Sequence, residues 1–171
     1  MIPFQTPRLT LRWMNLRDAS FIRDLLNSPG WIRFVGNRNI DTLEKAEDFL
    51  NTIIIPSYEK FGFGFYLLQR KQDNESLGIC GLVKREGLDD VDLGYALLPQ
   101  YEGQGYALEA AQATLEYGFS AHGLERIVAI STPDNKASLS LLNKLGMVYQ
   151  KKVRLADDDI DLVLYSTVRK K

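Results

Sequence analysis

The chain has 171 residues, 45% of them hydrophobic, with one cysteine, one histidine and a formal charge of −1. That length suits a single domain over 1–171, able to bury roughly 70% of its unfolded surface. Interspersed charges leave no basic field for non-specific nucleic-acid binding, one cysteine and one histidine make no zinc ligand set, and no run of about 18 apolar residues is there to span a bilayer.

A cytoplasmic protein without nucleic-acid or membrane partners is expected, as monomer or homodimer. The start MIPFQTPRLTLRW shows no cationic leader followed by an apolar stretch. Cys80 lies in the apolar run LGICGLV and reads as a core residue in a reducing compartment.

In chain order, RLTLRW (8–13) alternates apolar and polar side chains and predicts a half-buried strand. Asp18–Leu26 places Phe21, Ile22, Leu25 and Leu26 on one helical face, with Pro29 and Gly30 expected to end it. WIRFVGNRN (31–39) is aromatic and irregular, and reads as a loop. Asp41 and Glu44 suggest a capping box opening a helix on Leu43, Ala46, Phe49 and Leu50, and Pro56 is expected to stop the cluster Ile53–Ile55.

Beyond Phe63 the period shortens. GFYLLQR, SLGICGLVKR and DDVDLGYALL, joined by KQDNE and EGLDD, predict an antiparallel meander. Gly105–Ala121 has Leu108, Ala111, Leu115 and Phe119 at helical spacing, with Gly123 at its end and His122 as a helix-end cation. RIVAIS is a strand, NKASLSLLNKLG a helix, and MVYQKKVRL with DLVLYSTVR a hairpin around ADDDI. The fold class is α+β, a mixed and mostly antiparallel sheet of about seven strands with helices on its faces.

The stretch PQYEGQGYALEAA (99–111) lies between a predicted strand and a helix, where unpaired N–H groups and the helix dipole favour an anion. A Walker loop needs lysine and a hydroxyl after the last glycine, but Tyr106 and Ala107 follow Gly105. A dinucleotide fingerprint needs a third glycine where Leu108 stands, in a parallel βαβ unit. Neither fits.

A third pattern does. DLGYALLPQYEGQGYALEAA (92–111), PDNKASLSLLNKLGM (133–147) and TPRLTLR (6–12) together resemble the GNAT superfamily of acyl-CoA-dependent N-acetyltransferases, in the branch that includes ribosomal-protein alanine N-acetyltransferases. The resemblance covers nearly the whole chain. It implies transfer of acetyl from acetyl-CoA to a primary amine, a protein N-terminus or a small molecule, by direct attack in a ternary complex.

By the same resemblance, the family turn that wraps the coenzyme A pyrophosphate falls on Gln100, Gly103 and Gly105. Backbone N–H groups from Gly103 through Gln104, Gly105, Tyr106 and Ala107 to Leu108 are the implied donors. The strand that pairs with pantetheine falls on Ala96, Leu97 and Leu98. The pantetheine-binding asparagine falls on Asn135; Asn135 or Asp134 also reads as a helix cap, and the two roles are compatible. Many relatives carry a tyrosine acid where Leu142 stands here; Ser138 matches the serine of the ribosomal-protein branch, and is either that acid or an ordinary helix serine.

The turn has no lysine or arginine and carries Glu102, expected to face solvent, so Lys136 or Lys144 is considered for the phosphates. Asp92 matches an often acidic position and reads as a base acting through water or as a solvated carboxylate. Trp31, Arg33 and Phe34 are the candidate lining of the acceptor pocket, with Trp31 and Phe34 alternatively capping the core under a loop. The missing tyrosine also admits a second reading, a non-catalytic acyl-CoA-binding module of the same fold.

Overall fold

The computed structural model describes residues 2–155 and 159–171. Among these, the strands are β1 (Phe4–Gln5), β2 (Leu9–Trp13), β3 (Phe65–Arg70), β4 (Ser76–Val83), β5 (Val91–Leu97), β6 (Arg126–Ser131), β7 (Val148–Val153) and β8 (Leu162–Val168). They form one eight-stranded sheet in the order β1-β2-β3-β4-β5-β6-β8-β7. Every neighbouring pair is antiparallel except β5 and β6. The strand beyond the expected seven is β1, whose two residues pair with Thr10 and Leu11 and are too short to show a period.

The helices are α1 (Ala19–Leu26), α2 (Pro29–Phe34), α3 (Leu43–Phe49), α4 (Ile55–Phe61), α5 (Tyr106–Ala121) and α6 (Lys136–Lys144). Register and strand alternation put Leu11, Leu68, Cys80 and Tyr95 on one face of the sheet. There α5 packs, and Cys80 Sγ lies 3.4 Å from Thr114 Oγ1 of that helix. Burial pushes the Cys80 thiol up to about 12, so it is an inert core group, as expected. Leu67 and Ile79 point to the opposite face and are buried as well. α1 (Ile22, Leu25) and α3 (Ala46) pack on each other through buried apolar residues, and Arg12, on that face by register, pairs with Asp18 at 2.8 Å.

Several local expectations are corrected. Pro29 starts α2 instead of ending α1, because a proline at the first helical positions gives up only an N–H that has no partner there. Residues 31–34, expected as loop, are therefore helical. The cap of α3 is Thr42, whose Oγ1 accepts from Lys45 N–H at 3.1 Å, while Asp41 pairs with Lys45 Nζ at 2.7 Å. Pro56 does not stop the helical path, since a π-helical segment, Leu50–Ile54, widens the backbone and leaves the proline in the first turn of α4. His122 packs edge-on to Phe63 and Tyr117, and burial lowers its pKa, which favours the neutral ring over the expected cation. The predicted hairpin joins β7 and β8, though Ala156–Asp158 of its ADDDI turn lie outside the described residues. Among the described residues, no helix is long and apolar enough to cross a membrane.

Candidate active site

The one parallel pair is also the shortest relative to its strands. β5 and β6 are joined only at Val91↔Ile127 and Asp92↔Val128. Both strands run on, β5 held on its far edge by β4 as far as Gly78↔Leu97, and β6 by β8 as far as Ser131↔Val163. A gap therefore opens toward their C-terminal ends. Leu98 N–H is spent on Leu77 C=O at 2.9 Å. Main-chain groups alternate sides along a strand, so Leu98 and Ala96 face β4 whereas Leu97 and Tyr95 present N–H and C=O to the gap. Of the three residues expected to pair with pantetheine, Leu97 is the one so oriented.

The glycine turn sits at the mouth of this gap. Gly103 and Gly105 have φ of +73° and +83°, the left-handed region in which a Cβ is strained. The tip of the turn is tied by Gln104 Nε2 donating to Gln100 C=O at 3.1 Å. Glu109 N–H donates to Gly105 C=O at 3.1 Å, so the amides of Tyr106, Ala107 and Leu108 precede any intrahelical bond. They face outward with the positive end of the α5 dipole behind them. Nothing lies within 4 Å of where a Gly103 Cβ would be, which leaves the space over the turn open. Exposed Glu102 turns toward α2, its Oε1 3.9 Å from where a Gly30 Cβ would sit.

The cation missing from the turn arrives from residue 8. Arg8 Nη1 donates to Gln104 C=O at 3.0 Å, its Nη2 lies 3.3 Å from where a Gly105 Cβ would be, and its guanidinium stacks on Tyr106 at 4.2 Å. Glu109 fixes it there, accepting from Arg8 Nε at 2.7 Å, Arg8 N–H at 2.8 Å and Thr6 Oγ1 at 2.6 Å. Arg70, paired with Asp73 at 2.6 Å, reaches the Tyr106 hydroxyl with Nη1 at 3.5 Å and lies over the Tyr101 ring at 5.3 Å. No sequence pattern around the turn pointed to Arg8 or Arg70, because both are brought in by neighbouring strands.

The start of α6 faces the same gap. Asn135 caps the helix, its Oδ1 accepting from Ser138 N–H at 3.2 Å. Ser138 Oγ lies 2.8 Å from Tyr95 Oη, a contact spanning from β5 to α6 that sequence reasoning missed. Leu142 is fully buried, and Lys136 is exposed at the first position of α6.

A cavity of about 340 Å³ adjoins this helix start, lined by Arg33 and Phe34 of α2, Thr132 and Asp134 of the β6–α6 connection, and Ile160 and Asp161. Arg33 stacks over Phe34 at 4.7 Å. Trp31 does not line the cavity; it packs against the core with its Nε1 buried and without a partner. Asp92 is 1% exposed; its Oδ2 accepts from Arg85 Nε at 2.9 Å, and Oδ1 makes no hydrogen bond of good geometry, with the Ile130 backbone N–H close to the carboxylate. Burial raises its carboxyl to about 6 against the opposing pull of Arg85, so it is not the solvated strand carboxylate that one reading expected.

A family profile for the acetyltransferase (GNAT) domain matches residues 8–148. The uncharacterized N-acetyltransferase p20 of Bacillus licheniformis is 31% identical over 173 residues, 96% of this chain and 95% of that one. An acetyltransferase from Agrobacterium tumefaciens superposes with a TM-score of 0.82 at 25% identity, over 97% of this chain and 94% of that one. The ribosomal L7/L12 α-N-protein acetyltransferase RimL, solved with coenzyme A, shares the fold with a TM-score of 0.83 at 18% identity, over 98% of each chain. The chain belongs to the GNAT acetyltransferase family, and it is an acyltransferase. The general reaction of the family moves an acetyl group from acetyl-CoA to an amine.

Burial raises the Glu109 carboxyl, but the hydrogen bonds from Thr6 and Arg8 outweigh it and hold the pKa below the ordinary value. A depressed carboxylate contributes stability above its unfolded pKa, about 4.3, and loses it as pH falls through the folded value. Glu109→Ala is thus expected to cost about 1–3 kcal/mol at pH 7 and less at pH 3, measured by denaturant unfolding. An equal penalty at both pH values would show that the charge contributes nothing.

Proposed function

We propose that the chain, as one GNAT domain over 1–171, transfers acetyl from acetyl-CoA to a primary amine in the cytoplasm, the acceptor being a protein N-terminus or a small-molecule amine. The observation that carries the reading is the convergence of three features at one opening: outward amides at Tyr106–Leu108, the β5–β6 gap, and Asn135 with Ser138. The open, uncluttered turn fits a pyrophosphate, and the unpaired edge of β5 fits an extended amide-bearing arm.

In this reading Gln100 and Gln104 shape the turn, and the amides from Gly103 to Leu108 bind the phosphates. Arg8 adds positive charge from below the turn, and exposed Lys136 adds it from α6. Leu97 pairs with the pantetheine arm on the gap side, flanked by Ala96 and Leu98, and the Asn135 side chain bonds it further. Acetyl-CoA supplies an acyl group already activated as a thioester.

The protein then has three tasks: hold amine and acyl group together, take the ammonium proton, and give a proton to the departing sulfur. Asp92 takes the proton through water, its unpartnered oxygen and raised pKa suiting a base near neutrality. Ser138 presents the hydroxyl to the sulfur. Arg33 and Phe34 orient the acceptor in the adjoining cavity, and Trp31 supports them from the core side.

Calorimetry with coenzyme A and thiol release from acetyl-CoA over a panel of amines and N-terminal peptides test the reading. Binding with amine-dependent release is expected, and folded Gly105→Val should lose at least about 10-fold in coenzyme affinity, because a β-branched residue is strained at φ +83°. Binding without amine-dependent release would favour the non-catalytic module, and no binding would overturn both. The kcat/KM profile should fall on the acid side with an apparent pKa near 6, as Asp92 becomes protonated. Persistence of that limb in Asp92→Asn would remove Asp92 from the role.

A further inference from the structure

Two hydroxyl groups meet across the β5–β6 gap at 2.8 Å, Tyr95 Oη from β5 and Ser138 Oγ from α6. A hydrogen bond between two hydroxyls uses one of their two hydrogens, so its direction decides which remains free. If Ser138 donates, it has no hydrogen left for a ligand, and Tyr95 must find another acceptor. The acceptor at hand is Ser138 C=O at 3.4 Å, beyond the roughly 2.5–3.0 Å usual for O–H···O. If Tyr95 donates, its hydrogen is well placed and the serine hydrogen is left to point elsewhere. Burial pushes the Tyr95 phenol up to about 12, so its hydrogen is in place at neutral pH.

We infer that Tyr95 is a positioning residue that donates to Ser138 Oγ and turns the serine hydrogen into the gap, where the sulfur of the donor is to be protonated. Serine otherwise rotates freely about its C–O bond, and fixing it removes that freedom before the reaction. The backbone of Ser138 is itself held by Asn135 Oδ1 at 3.2 Å, so the hydroxyl is set from both ends. Leu142, one turn on and fully buried, offers no hydroxyl to replace it. Tyr95 thereby links the strand that borders the coenzyme arm to the helix that carries the donor group.

This inference rests on Ser138 as the proton donor proposed above, and the test separates the two. Steady-state kinetics are compared for Tyr95→Phe, Ser138→Ala and the double variant, with coenzyme A affinity and thermal unfolding measured on each. Tyr95→Phe keeps the ring and its packing. It is expected to lower kcat on the order of 10-fold while KM for acetyl-CoA and coenzyme affinity stay within about twofold. In the Ser138→Ala background the same change should have no further effect.

Unchanged kcat in Tyr95→Phe beside a slow Ser138→Ala would overturn the positioning role alone. So would an undiminished Tyr95→Phe penalty in the Ser138→Ala background, or a loss expressed only in KM and thermal stability. Full turnover in Ser138→Ala would remove the serine from the mechanism, and the role of Tyr95 with it.

Discussion

The structure turns on the failure of two adjacent parallel strands to stay together. β5 and β6 share two residue pairs and then part, although each is firmly paired on its outer edge. An open strand edge inside a sheet leaves backbone donors and acceptors without partners, a cost that folded proteins rarely accept without something to fill it. Here the edge lies between the N-termini of α5 and α6, because each helix follows the C-terminal end of one diverging strand. The same divergence therefore creates the slot, aims two helix ends at it and keeps Tyr95 and Ser138 within bonding distance across it.

Charge at the slot is arranged indirectly. The glycine turn carries no cation and has Glu102 in it, yet the amides and dipole of α5 are joined by Arg8. Glu109 accounts for that placement. It takes three hydrogen bonds from the β1–β2 segment and anchors the arginine under the turn, so the carboxylate acts as a brace for the cation. Much of the Arg8 charge is balanced by this partner, so in the proposed coenzyme site the main-chain amides are the principal anion ligands.

Most of the sheet was legible in the sequence, since β2 through β6 and β8 carry alternation or apolar runs between turn residues, and β7 faces β8 across a turn-rich link. β1 was not, because two residues have no period. The departures in the helical half share one cause: Pro29, Pro56 and Thr42 act by their position within a turn, which residue type alone does not give. Pro29 begins a helix, and Pro56 is accommodated by a π-helical segment that no local pattern announces. At the site, the glycine turn and Asn135 stood out because they lie in contiguous motifs. Arg8, Arg70 and Tyr95 did not, since their places depend on strand pairing between distant segments. Asp92 was legible as a position but not as an environment; only the folded sheet shows it buried against Arg85.

The regions proposed for donor and acceptor share the connection from β6 to α6, with Thr132 and Asp134 at the cavity beside α2 and Asn135 and Ser138 at the gap. An amine entering from α2 would thus meet an acyl group presented from the slot. The most direct test is a crystal structure with coenzyme A. Pyrophosphate oxygens are expected within hydrogen-bond distance of the Tyr106, Ala107 and Leu108 amides, with pantetheine between β5 and β6 bonded to the main chain of Leu97. Coenzyme A bound elsewhere, with the β5–β6 gap closed by side chains, would contradict this arrangement.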